Sequence, residues 1–380
     1  MGPFGRVYLD HASTSPIRPE AVTALGEWLG SADPGRVHTE GRMARAALEE
    51  ARERVAGLLG TRPRQVIFTS GATEAINAAV FGALASGRGD HVVVPAVEHS
   101  AVRDASARSA ARVTVVGVDR LGRVDVDEVV AALTPATALV HCQWGNHEVG
   151  TLQPVDAVVA ACRERGVLVH VDAAATAGHV PIAFDRLGAD LLSVSAHKLG
   201  GPKGAGALLI RKGLRIPSLL VGGEQERGRR AGMEDVAACA GFGAAAEVLA
   251  GGLLEEEAAR ARRQTEQLLR DALAIAGVVQ YGPSSTSERL PHLICLGVSG
   301  VEAEAVLLGL DQAGVAAHSG SACSSESLEP SPVLEAMGVE AERSLRLSAG
   351  WSTTDEDVAV AAAALPGVIQ RLRDLAAGVA

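Results

Sequence analysis

Seven short runs rich in Val, Ile and Leu punctuate the chain between residues 64 and 211, and Ala- and Leu-rich segments lie between most of them. The runs are RQVIFTS (64–70), DHVVVPA (90–96), RVTVVGV (112–118), TALVHCQW (137–144), GVLVHVDA (166–173), ADLLSVSA (189–196) and GAGALLIR (204–211). Their length and β-branched content predict strands. The spacing in ATEAINAAVFGALAS and VDEVVAALTP predicts helices. Such alternation leads to an α/β fold with a mainly parallel central sheet, in which ligand groups gather at the carboxyl ends of the strands.

The texture changes after a long polar-faced helix predicted over EEEAARARRQTEQLLRDALAIA (255–276). HLICLGVSG, a helical stretch, VAAHSGSAC and a closing Ala-rich helix describe a second, smaller α+β domain. The expected division is a large domain over 15–256, with 1–14 and 257–380 forming the small one. No internal repeat or low-complexity linker separates them, so the two are expected to pack tightly.

Composition narrows the function classes. Of 380 residues, 47% are apolar and 21% charged, a globular balance. The excess of 45 acidic over 35 basic residues, with no Arg stripe or aromatic platform, argues against direct nucleic-acid binding. The start MGPFGRVYLDHAS has no basic region followed by an apolar one, and no long uncharged apolar window follows. Neither export nor a membrane span is expected, and the cytoplasm is the expected location. Cys142, Cys162, Cys239, Cys295 and Cys323 are odd in number and contain no C-x-x-C pair, which points to thiols without a disulfide or metal framework. Four read as small buried hydrophobes. Cys323, in HSGSACSSESLEPSPVLEAMG, has small polar neighbours and no apolar period, the surroundings of an exposed, reactive cysteine.

Only three lysines occur, Lys198, Lys203 and Lys212, so arginine serves almost everywhere a surface cation is wanted. Arginine cannot form a Schiff base. Lys198, in SVSAHKLGG, follows a strand and precedes a Gly-Gly-Pro turn, where a desolvated amine could form an imine with an aldehyde. A solvated loop lysine is the alternative. Lys203 and Lys212 lack that context and read as surface charges. Asp172 ends the run VHVDAAATAG, suited either to pair with a protonated pyridine nitrogen or to cap the next segment. FTSGATEAINAAV runs strand, glycine, helix, so the backbone N–H groups from Gly71 to Thr73 can hold a phosphate. His99, in VPAVEHSAV, could stack on a planar ring or be a core histidine satisfied by backbone.

In this order the pieces resemble the pyridoxal-phosphate enzymes of fold type I, class V aminotransferase branch, and within it the cysteine desulfurases. The likeness runs through YLDHASTSP, HTEGRMARAALEEAR, IFTSGATEAIN, EHSAV, HVDAAATAG, SVSAHKLGGPKGAGAL, GGEQERGRR, SGSACSSESLEPS and LRLSAG. It implies that Lys198 holds pyridoxal 5'-phosphate, Asp172 pairs with its ring nitrogen and His99 stacks on its face. Gly71, Ala72, Thr73, Ser195 and His197 would bind its phosphate. Arg346 would clamp the carboxylate of L-cysteine, with His11 and Ala12 also at the substrate. Cys323 would attack the substrate sulfur, take it as a persulfide and pass it to an acceptor protein, with alanine released. A homodimer is implied as well.

Three positions depart from the family pattern. His147, in GNHEVG, stands where an asparagine contacts the cofactor's phenolic oxygen; Ala175 replaces the glutamine that is its other contact; and Met233 replaces a threonine that reaches the neighbouring subunit's phosphate. These changes keep two other readings open. One is another class V enzyme, such as an aminotransferase, C–S lyase or selenocysteine lyase, and the other a degenerate scaffold subunit.

Overall fold

The computed structural model describes residues 5–319 and 330–378. Twelve strands are present among them: β1 (Val7–Tyr8), β2 (Val66–Thr69), β3 (His91–Pro95), β4 (Arg112–Val116), β5 (Thr137–Gln143), β6 (Leu168–Asp172), β7 (Leu191–Ser195), β8 (Gly206–Ile210), β9 (Val278–Tyr281), β10 (Leu293–Val298), β11 (Val315–Ala316) and β12 (Ser344–Ser348). All seven predicted runs from 64 to 211 form strands. They make one sheet in the order β2-β8-β7-β6-β5-β3-β4. Only β8 runs against its neighbours, β7 and β2.

In every strand of this sheet but the edge strand β4, which is largely exposed, the near-continuous apolar character follows from burial on both faces. Alternation divides the load: Val92 and Val94 of β3 pack with Ile76, Ala79 and Val80 of the helix Ala72–Ala85, whereas Val93 packs on the other side with Val158 and Val159 of the helix Val155–Glu164.

Beyond residue 254 the chain builds a second core. β9, β10 and β12 form an antiparallel sheet in the order β12-β10-β9. Leu268, Ala272, Val358, Leu365 and Ile369 of the helices Leu254–Leu273 and Asp355–Gly378 share a core with Ile294, Leu296, Leu345 and Leu347 of that sheet. The predicted helix over 255–276 is observed as Leu254–Leu273, with Glu255, Glu256 and Glu257 in its first turn, where they complement the helix dipole. β1 pairs in parallel with β11, and Asp10 bridges Ser348, so the chain's start joins the layer built by its last hundred residues.

One feature was not expected from the sequence. The stretch Val236–Leu273 is long and apolar enough to cross a membrane by composition alone, but 67% of its apolar window is buried inside the protein. The chain bends within it at Gly252 (φ 108°). Its first part, Val236–Val248, packs beside the helices Pro19–Trp28 and Thr39–Leu58.

Candidate active site

The sheet's carboxyl edge opens into a cleft of about 580 Å³. The residues just after β2, β3, β6 and β7 and the end of β5 line it, together with Ala12, Ser13 and Thr14 from the chain start and Arg346 from β12. Gly71, Ala72, Thr73, His99, His147, Asp172, Ser195, His197, Lys198, Arg346 and Ala12 are thus brought into one cavity.

Lys198 lies in a single 3-10 turn, Ala196–Lys198, between β7 and the reversed β8. Its Nζ donates to the Ala12 carbonyl at 2.5 Å. Asp172, the last residue of β6, is buried, and its Oδ1 accepts from the Ala174 N–H at 2.9 Å and the Ser193 hydroxyl at 3.1 Å. It therefore caps the following turn, one of the two roles considered for it, and also lines the cleft.

The helix Ala72–Ala85 begins at Gly71 with no side chain capping it. Its first residues, Gly71 to Glu74, line the cleft, and helix N-terminal N–H groups without a cap suit an anion. Gly206 lets this turn approach β8: a Cβ there would lie 2.6 Å from Gly71 Cα and 2.7 Å from the Val194 carbonyl oxygen. His197 adds Nδ1 to Thr14 Oγ1 at 3.1 Å, and its pKa is lowered to about 4 by burial and by the charges of Lys198 and Lys203.

His99 caps the helix Ser100–Arg108 by accepting from the Ala101 N–H at 3.1 Å. An accepting Nδ1 leaves the ring proton on Nε2. The ring stands edge-on to His147, with centroids 5.1 Å apart. Beneath them Glu98 is fully buried, and one of its oxygens accepts from the Gln143 N–H at 2.5 Å. Burial, and next the Asp172 charge, push its pKa up to about 8.

Arg346 is buried at 1% exposure in the middle of β12. Nη2 donates to Asp10 Oδ1 at 2.9 Å and to the Ser13 hydroxyl at 3.0 Å, and Nη1 donates to the His147 carbonyl at 2.9 Å. These use three of the five N–H bonds of a guanidinium. Nε is buried and has no partner.

Four expectations need revision or fall elsewhere. His11 does not line the cleft: its buried ring packs against Gly350, meets Tyr8 edge-on and bonds the Ser15 hydroxyl at 2.9 Å. Backbone direction explains this, because Ala12 faces the cavity while its neighbour turns into the protein. Lys203 is exposed, as expected of a surface charge, and also lines the cleft. Met233 is 68% exposed and outside this cavity. Cys323 lies outside the described residues. The sequence reading missed Asp10, Glu98 and Gln143; for Glu98 the signal was its place beside His99 at a strand end.

The donors fit pyridoxal phosphate by their chemistry: an amine, a carboxylate, an imidazole and the uncapped start of a helix line one cleft. The chain belongs to the aminotransferase class V family, whose model matches residues 7–360. Members of that family are pyridoxal-phosphate enzymes. Within it, the chain is 41% identical to the cysteine desulfurase IscS of Dictyoglomus turgidum, covering 97% of this chain and 96% of that one. A solved NifS-like protein superposes with a TM-score of 0.86 at 29% identity, covering 98% of this chain and all of the other (100%). The structure titled SspA in complex with cysteine gives 0.79 at 28% identity, over 91% and 99% of the two chains.

Proposed function

We propose that this protein is a cysteine desulfurase that uses pyridoxal phosphate held by Lys198 and transfers the sulfur of L-cysteine to Cys323. The observation that carries this reading is the convergence of Lys198, Asp172, His99 and the Gly71–Thr73 turn on one cleft with a buried arginine. The bound cofactor supplies an electron sink that lets bonds at the substrate's Cα and Cβ break. Asp172 holds the ring nitrogen protonated, Ser195 and His197 join Gly71, Ala72 and Thr73 at the phosphate, and the Arg346 guanidinium, which lines the cleft, takes the substrate carboxylate. His99, with its proton at Nε2, is the proton carrier of the cleft. His147 provides the contact to the phenolic oxygen that Ala175 lacks the atoms to make.

The transfer balances without an outside oxidant. The Cys323 thiolate forms an S–S bond to the substrate sulfur, the Cβ–S bond breaks, and its electron pair stays with carbon, which takes up a proton. L-cysteine and the enzyme thiol become L-alanine and an enzyme persulfide. The other four cysteines are buried and unpaired. Burial pushes Cys162 and Cys295 up to about 12 and raises Cys142 and Cys239 as well. None of them supplies a thiolate near neutral pH.

The persulfide passes to an acceptor protein in the cytoplasm, where four unpaired thiols are in keeping with a reducing compartment. The working form is a homodimer. Val37, Met43, Val221 and Met233 are large apolar side chains exposed on this single chain, as a second copy would require. Residues 15–256 form the cofactor domain, and 1–14 with 257–380 the small domain. The test is incubation with L-cysteine and a thiol, following alanine and sulfide together. Equal yields support the desulfurase, whereas sulfide accompanied by pyruvate and ammonia identifies a C–S lyase.

A further inference from the structure

Glu148 follows His147 in the loop after β5 and is 3% exposed. A carboxylate so buried needs a partner for each oxygen. One partner is at the cofactor wall: Oε1 is 3.4 Å from His147 Nε2. The other comes from a distant part of the chain. Oε2 accepts from the Ser331 hydroxyl at 2.5 Å, across 183 positions. Ser331 is itself buried, and its Oγ accepts from the Leu334 N–H at 3.2 Å, capping the helix Pro332–Ala336. The backbone holds Glu148 from a third side, its N–H donating to Asn146 Oδ1 at 2.8 Å.

The placement of Ser331 gives this bridge its meaning. It is the second residue after 320–329, the segment that contains Cys323. His147 belongs to the cleft, beside His99 and with its carbonyl on Arg346. One buried carboxylate therefore joins the wall of the cleft at His147 to Ser331, two positions beyond the segment that contains Cys323.

We propose that Glu148 is a positioning residue that locks the root of the Cys323 segment to the His147 wall and so sets the approach of the acceptor sulfur to the substrate. The inference rests on the desulfurase reading, with Cys323 as acceptor. Its physical basis is the steep dependence of nucleophilic attack on placement, about 100-fold for an ångström.

Three variants of the holoenzyme test it: Glu148→Gln, Ser331→Ala and Ser331→Thr. Glu148→Gln keeps the volume and leaves the Ser331 cap on Leu334 intact, but offers one acceptor oxygen to two donors. Persulfide on Cys323 is followed by mass spectrometry in a single turnover with L-cysteine. The visible absorption band is titrated with pH without substrate, and circular dichroism checks the fold. Glu148→Gln is expected to slow persulfide formation by roughly 10- to 100-fold and to shift the titration, because His147 loses its anion. Ser331→Ala is expected to slow persulfide formation by about tenfold with the titration unchanged, and Ser331→Thr to restore most of the rate. Wild-type rates in both Glu148→Gln and Ser331→Ala, or a Ser331→Thr variant no faster than Ser331→Ala, would overturn the bridge. A wild-type protein that forms alanine without persulfide on Cys323 overturns Cys323 as acceptor and the bridge with it, whereas one that forms pyruvate and ammonia in place of alanine overturns the desulfurase reading.

Discussion

Asp10 and Arg346 are 336 positions apart in the chain, and their side chains meet at 2.9 Å. The carboxylate fixes one edge of a guanidinium that is otherwise buried in β12. This geometry leaves Arg346 a limited set of N–H bonds with fixed directions, which suits a planar carboxylate. Arg346→Lys keeps the charge and loses the fork. The KM for L-cysteine is expected to rise by roughly tenfold or more, with a smaller change in kcat. Steady-state alanine formation measures both, and an unchanged KM removes Arg346 from the substrate.

Lys198 is expected to carry the cofactor. The purified protein should be yellow, and borohydride should bleach the colour while fixing the cofactor to the peptide that contains Lys198. Lys203 makes this a real discrimination, since it shares the cleft. Label on Lys203 or Lys212 would reject the assignment.

Cys323→Ser should retain cofactor and L-cysteine binding but lose persulfide and nearly all turnover, because a hydroxyl attacks sulfur poorly. Mass spectrometry and sulfide release provide the measurement. Sulfide at the wild-type rate from the serine variant points to a lyase.

The legible part of the site is the part that strand ends deliver. Lys198, Asp172, His99 and the Gly71–Thr73 turn each follow an apolar run, and a run of that kind announces both its end and the cleft beyond it. Asp10, Glu148 and Ser331 gave no such signal, because their meaning lies in partners 336 and 183 positions away. His11 shows the opposite failure. Its neighbour Ala12 does face the cleft, but adjacency in sequence says nothing about which way a ring turns in a tight segment held by Ser348 Oγ at 2.8 Å. Lys203 was discounted for lacking a strand before it, although a short turn returns the chain to the same edge.

Stability should peak near neutral pH. Burial lowers the pKa of His11 to about 3 and of His170 to about 4, and lowers His292 as well. These rings are neutral in the folded state, while the unfolded chain takes up protons below about 6.5, so stability falls from there down to about 3. Glu98 works in the other direction. Its raised pKa means stability present below 4.5 and lost as pH rises toward about 8. Each unmatched proton contributes about 1.4 kcal/mol per pH unit. Several histidines outweigh one carboxyl below 6.5, and Glu98 acts alone among these groups above it. Urea midpoints against pH should show the maximum, and Glu98→Gln should flatten the alkaline side. A midpoint that keeps rising between pH 7 and 8 contradicts the role of Glu98.

Arg52 and Glu226 form a buried ion pair, with Nη1 and Nη2 each 2.6 Å from a carboxylate oxygen. Glu226 also accepts from the Phe68 N–H at 2.9 Å, and it sits with Arg227 in left-handed backbone. Glu226→Ala leaves an uncompensated buried charge and should cost about 3–5 kcal/mol. The double variant Arg52→Met, Glu226→Gln should regain at least half of that in urea denaturation. Equal losses in the single and double variants would show that the backbone conformation, and not the charge, dominates.

The pairing of β1 with β11, and of Asp10 with Ser348, has a consequence for how the protein is made. Residues 7–14 leave the ribosome long before the segments they pair with. At about 5–20 residues per second, roughly 20–70 s of translation separate Asp10 from Ser348. For most of that time Leu9, fully buried in the finished protein, lacks its core partners, which outside β1 begin at Leu268. Ala12 and Arg346 both line the cleft, so the cleft takes its full shape only after both have been made and have met.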